Sequence, residues 1–88
     1  MYRIGDVVLA TAGKEKGQLL VIVNLDDKYA YLSDGKRLKA SKPKRKSFKH
    51  LKKFDTQPLS ETQVLDKNQR VNALIRKFLT EIKRSEHV

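Results

Sequence analysis

Val7-Val8-Leu9-Ala10-Thr11-Ala12-Gly13-Lys14-Glu15-Lys16-Gly17-Gln18-Leu19-Leu20-Val21-Ile22-Val23-Asn24-Leu25 sets two apolar, β-branched runs of strand length on either side of a glycine-bounded turn. The second run is apolar on both faces, which predicts a central strand covered on both sides. Working outward, Gly5-Asp6 precedes the first run, and Asp26-Asp27 turns the chain into Lys28-Tyr29-Ala30-Tyr31-Leu32. Ser33-Asp34-Gly35-Lys36 is a further hairpin signal. Strands recurring every dozen residues or so, joined by short turns, predict a mainly β fold: a small antiparallel barrel, which also hides its sheet edges.

The next stretch, Lys36-Arg37-Leu38-Lys39-Ala40-Ser41, alternates in part and is expected to form another strand, interrupted by Pro43. Lys44-Arg45-Lys46 is expected as an exposed loop because it offers nothing to a core. In residues 48–54 an apolar side chain recurs every third position, a pattern shared by a closing strand, a 3₁₀ turn and a short helix. After Pro58 the period changes. Val71, Leu74, Ile75, Phe78, Leu79 and Ile82 form the apolar stripe of an amphipathic helix. Ser60 with Gln63 is a capping-box signature, and Asp66 with Gln69 offers a second start. The expected organisation is a barrel over 1–56, with its basic segment at 36–53. A C-terminal helical part over 57–88 would pack on the barrel or on a partner.

The chain has 88 residues, the size of one domain. Hydrophobic residues make up 39% and charged residues 34%, so the core is small and the surface heavily charged. Twenty Lys and Arg against ten Asp and Glu leave a net charge of +10. Residues 36–53 carry ten basic side chains and no acidic one, so this segment holds an excess equal to that of the whole chain. Ten like charges in so short a stretch repel one another, which makes physical sense when an external polyanion supplies the counter-charge. Cysteine is absent, which removes disulfides and thiolate metal sites and suits a reducing compartment. The longest apolar run, Leu19 to Val23, is far short of the roughly 18 residues of a membrane span, and no signal-peptide core precedes it. A cytoplasmic location is expected.

Catalytic equipment is sparse. His50 lies within the basic segment and His87 near the C-terminus, neither beside a ligand set that would hold a metal. Asp26-Asp27 reads as a capped turn rather than a catalytic pair. The Gly13-x-x-x-Gly17 loop lacks the Gly-Lys-Ser/Thr ending of a nucleotide phosphate loop. No enzymatic activity, metal, cofactor or small-molecule substrate is expected.

The glycine loop Ala12-Gly13-Lys14-Glu15-Lys16-Gly17, set between apolar strands after Gly5-Asp6, resembles the KOW motif. The similarity continues through Ser33-Asp34-Gly35 and Lys42-Pro43-Lys44-Arg45-Lys46 to Lys49-His50-Leu51, and covers about residues 4–54. It resembles the bacterial KOW-domain RNA-binding proteins, akin to the archaeal and eukaryotic large-subunit ribosomal protein family fourteen. Gln18-Leu19-Leu20 departs from the small or basic residue often found after the second glycine. The resemblance implies an SH3-like barrel, RNA binding and association with the ribosome, with ribosomal RNA and neighbouring ribosomal proteins as partners. It assigns Lys14 and Lys16 to a loop brought near RNA, and residues 42–50 to the basic signature.

Charge alone points to a polyanion as the partner, which is compatible with that implication. Lys36, Arg37, Lys39, Lys42, Lys44, Arg45, Lys46, Lys49, His50, Lys52 and Lys53 join Lys14 and Lys16 as expected RNA contacts. The arginines add planar forks suited to phosphates. Three Tyr, three Phe and no Trp, mostly wanted in the core, argue for recognition of folded RNA by shape and backbone rather than by base stacking. The alternatives are a protein-interaction adapter using the helix stripe, attachment to an anionic membrane, and a DNA-binding module. Backbone charge does not separate RNA from DNA; the KOW resemblance does.

Overall fold

The computed structural model describes residues 1–66 and 70–85. Strands β1 (Val7–Ala10), β2 (Leu19–Leu25) and β3 (Tyr29–Ser33) form where the apolar runs predict them. They are followed by β4 (Lys44–Ser47), a 3₁₀ turn (Phe48–His50), β5 (Leu51–Lys53), a short helix α1 (Glu61–Leu65) and a longer helix α2 (Val71–Ser85). The strands make one antiparallel five-stranded sheet in the order β4-β3-β2-β1-β5, with β2 at its centre.

Alternation along β1 and β2 supplies two cores. Val8, Ala10, Leu20 and Ile22 lie on one face with Ala30 and Leu32 of β3 and Leu51 of β5, joined by Tyr2, Leu25, Leu38 and Phe48. Val7, Val21 and Val23 lie on the other face, covered by Leu59, Val64 of α1, and Ile75, Leu79 and Ile82 of α2. Both faces of β2 are therefore covered. The helix stripe is buried against the sheet of its own chain.

The two sheet edges are β4 and β5, and the 3₁₀ turn between them is three residues long. Four residue steps reach at most about 14 Å, whereas the edges of a flat five-stranded sheet stand about 19 Å apart. The sheet is therefore curled. A register shift between Ile22 and Asn24 opposite β3 leaves Val23 as an extra residue, a bulge of the kind that bends a strand. No hydrogen-bonded ladder joins β4 to β5 among the described residues, so the sheet stays open along that seam.

Two local expectations are exchanged. Residues 36–41 are turns and bends, not a strand, whereas Lys44-Arg45-Lys46 lies in β4 rather than in a loop. The cause of the first is a hydrogen-bonded turn that captures the chain after β3. Asp34 Oδ1 accepts the backbone N–H groups of Lys36 and Leu38, at 2.8 and 2.9 Å, and the Ser33 hydroxyl donates to Leu38 O at 2.7 Å. The cause of the second is edge pairing: β4 adds to β3 with Lys46 opposite Ala30 and Arg45 opposite Tyr31, and an edge strand tolerates charge.

Helix α2 is fastened to the turn that follows β3. Asn72 Oδ1 accepts Ala40 N–H at 2.8 Å, and Arg76 Nη1 donates to Gly35 O at 3.3 Å. Gly35 has φ +72°, and a Cβ there would overlap the Asn72 carbonyl oxygen, so the close approach requires glycine. The Ser60–Gln63 capping box is present, but the helix it starts is α1, not α2. The alternative start at Asp66 and Gln69 lies partly outside the described residues, as does His87. Among the described residues no helix is long and apolar enough to cross a membrane.

Candidate nucleic-acid interface

Thirteen residues carry the sequence-based expectation, and the fold sorts them into groups. Lys14 and Lys16 are exposed on the glycine loop between β1 and β2. Lys36, Arg37, Lys39 and Lys42 are exposed on the turn-rich segment between β3 and β4, which α2 steadies from below. Lys44 and Arg45 are exposed on β4, Lys49 on the 3₁₀ turn, and Lys52 and Lys53 on β5, while His50 is half-buried.

The glycine loop is built by backbone hydrogen bonds. Gly17 N–H donates to Ala10 O at 2.8 Å, and Lys16 N–H to Gly13 O at 3.2 Å. It is then tied to the far edge of the sheet by Lys46. That ammonium donates to Ala12 O at 2.8 Å and lies 3.3 Å from Glu15 Oε1, with the two side chains 9% and 12% exposed. Lys46 therefore differs from its expected role: its ammonium is engaged inside the protein and is not presented to a partner. Its position on β4 opposite Ala30 explains this, because the side chain leaves the sheet on the face that the glycine loop folds over.

The glycine loop also meets the turn after β3. Lys14, Glu15 and Gln18 from the loop line one cleft with Asp34, Arg37 and Leu38 from the turn. Lys14 and Arg37, far apart in sequence, thus share a rim. Gln18 and Glu15 carry no interface signal in the sequence, because their neighbours in the cleft come from a different strand connection. Arg76 of α2 likewise carries no such signal in the sequence: it is exposed, and its guanidinium donates to Gly35 O.

Arg45 lies over the Tyr29 ring, 4.6 Å from its centre, which fixes the guanidinium against β3. Below it, Asp26 accepts Lys28 and Tyr29 N–H groups at 2.8 Å each, and the Tyr31 hydroxyl at 3.3 Å. The Lys28 and Tyr29 backbone donors, in that order, hold the Asp26 carboxyl below its ordinary range, with smaller help from the Tyr31 hydroxyl and the Arg45 charge. This aspartate caps its turn, as the sequence implied.

The β5 cations stand apart from the shared cleft. Lys53 Nζ is 3.5 Å from the buried Asp6 carboxylate and donates to Met1 O at 3.1 Å, at the end of β1 away from the glycine loop. Lys53 is thus tethered to its own chain, while its side chain stays 52% exposed. His50 contributes its carbonyl oxygen to Thr11 N–H at 2.9 Å, a framework contact. The two cations engaged by carboxylates within 36–53 are Lys46 and Lys53; the other eight make no ion pair among the described residues.

Tyr2 stacks on Phe48 with ring centres 5.1 Å apart, and both pack against the apolar cluster that includes Leu51. Their rings brace the 3₁₀ turn. No protein-family profile matches the chain, and no curated protein sequence matches it significantly.

Proposed function

We propose that the chain is a non-enzymatic, cytoplasmic RNA-binding module that associates with the ribosome and grips folded RNA by its phosphate backbone. The proposed framework is an SH3-like barrel of the KOW type. Two features support that framework: the short 3₁₀ connection between the sheet edges, and the apolar cluster drawing on β1, β2, β3 and β5 together.

The observation that carries the functional reading is the fastening of the glycine loop to β4 through Lys46. It gives a rigid base to Lys14 and Lys16, next to the exposed Arg37, with Lys36, Lys39, Lys42, Lys44 and Arg45 on the adjoining turn and strand. Cations held on a stiff scaffold lose little freedom on meeting a polyanion, so their charge is used for binding. Lys46 now belongs to the scaffold rather than to the contact set.

Fluorescence anisotropy with a folded ribosomal RNA fragment, repeated over a range of salt, tests this. Neutralising about five to seven phosphates gives a log–log salt slope of roughly −4 to −6. A slope near zero overturns the electrostatic mechanism, and equal competition by duplex DNA of the same length overturns the preference for RNA. Ribosomes from cells should carry the protein down on sedimentation at low salt and release it at high salt.

A further inference from the structure

The cleft shared by the glycine loop and the turn after β3 encloses about 250 Å³. Two carboxylates and two cations line it, yet the four do not cancel. Glu15 Oε1 has the Lys46 ammonium at 3.3 Å, so three cations face two carboxylates and one positive charge is in excess; Asp34 keeps its charge, with Oδ1 turned to the backbone N–H groups of Lys36 and Leu38. Lys14 and Arg37 make no ion pair among the described residues and remain exposed. Gln18 adds a neutral carboxamide and Leu38 an apolar wall.

We infer that this cleft is a seat for a single phosphate group, held between the Lys14 ammonium and the Arg37 guanidinium with the Gln18 amide as an uncharged donor. Arg37 offers a planar fork of donors and Lys14 a mobile point charge, a combination suited to a tetrahedral oxyanion. Lys46 is its positioning residue. It touches no ligand, but offsets the Glu15 charge and holds the loop that carries Lys14. That the occupant is an RNA backbone phosphate rests on the function proposed above; the same chemistry would accept free phosphate.

Amide NMR of the full chain titrated with inorganic phosphate tests the seat. Saturable shifts should concentrate at residues 13–18 and 34–38. Arg37→Gln and Lys14→Gln should each weaken phosphate about three- to tenfold, while Lys77→Gln on α2 should leave it unchanged. Lys46→Met should also weaken phosphate, and adding Glu15→Gln to it should restore most of the loss, which a merely structural role for Lys46 would not produce. Should Lys46→Met fail to fold, Glu15→Gln alone still decides: removing that charge should tighten phosphate binding. Shifts scattered over the surface, or losses no greater than for Lys77→Gln, overturn the seat. RNA affinity of the Arg37 and Lys14 variants separates the two ideas. Phosphate binding without RNA binding keeps the seat and refutes the RNA reading. Steep salt-dependent RNA binding without phosphate in the cleft refutes the seat alone.

Discussion

Replacing Gly35 by alanine probes the contact that joins α2 to the basic turn. The left-handed φ of +72° costs alanine about 1–2 kcal/mol, partly offset by about 0.4–1 kcal/mol from a stiffer unfolded chain. The new methyl would also overlap the Asn72 carbonyl oxygen and stand 3.0 Å from Arg76 N, both backbone atoms of α2 that cannot swing aside. Turn and helix would have to separate. That would break or stretch the Arg76–Gly35 and Ala40–Asn72 hydrogen bonds, each worth about 1 kcal/mol. The total is a loss of about 3 kcal/mol. Gly17→Ala is the matched control, since its φ is +86° but nothing stands within 4 Å of the added methyl. It should lose about 1 kcal/mol or less. Urea unfolding followed by circular dichroism measures both free energies, and in a thermal scan the gap of about 2 kcal/mol should appear as roughly 8–16 °C in Tm. Equal losses for the two variants would refute the close approach and, with it, the helix as the support of the turn.

Ile75→Ala should cost about 2–5 kcal/mol in the same assay, because Ile75 is fully buried between α2 and the sheet; Leu65→Ala, at a half-exposed position, should change stability by no more than about 0.5 kcal/mol. Changing Lys44 and Arg45 together to alanine should weaken binding to unrelated RNA sequences alike and flatten the salt slope by about two units, as read by anisotropy. Asp26→Asn should flatten the acid side of the stability profile. The folded-state pKa of Asp26 lies below its ordinary value, so its stabilisation is complete above that ordinary value and disappears as pH falls through the folded one. Urea midpoints across the acid range should therefore converge for wild type and variant; parallel curves would refute the turn-capping account.

Much of the framework is legible in the sequence because the relevant forces are local. The two-sided apolar run of β2, the β-branched run of β1 and the helical stripe from Val71 to Ile82 each appear where their period predicts. The stretch from Lys36 to Lys46 departs from its sequence pattern for a physical reason. Its partial alternation resembles a strand, yet Ser33 and Asp34 recruit its backbone into a turn; Lys44-Arg45-Lys46 shows no apolar period, yet edge pairing with β3 makes it a strand. The candidate interface divides in the same manner. Exposure of Lys14, Lys16, Arg37 and Lys44 follows from turn chemistry and charge. The inward role of Lys46 depends on Ala12 and Glu15, more than thirty positions earlier. Nothing in its own neighbourhood separates it from Lys44 or Arg45.

The pairing of β1 has a kinetic consequence. One of its edges meets β2 across the short glycine loop, but the other waits for β5, which arrives after the whole of β2, β3 and β4. Closure of that second ladder is a long-range event, and folds dominated by such contacts form in milliseconds to seconds rather than microseconds. Until it happens, Val7 to Ala10 present an unsatisfied row of amides and carbonyls, the template on which unfolded copies would pair with one another. Aggregation during refolding should therefore begin at β1.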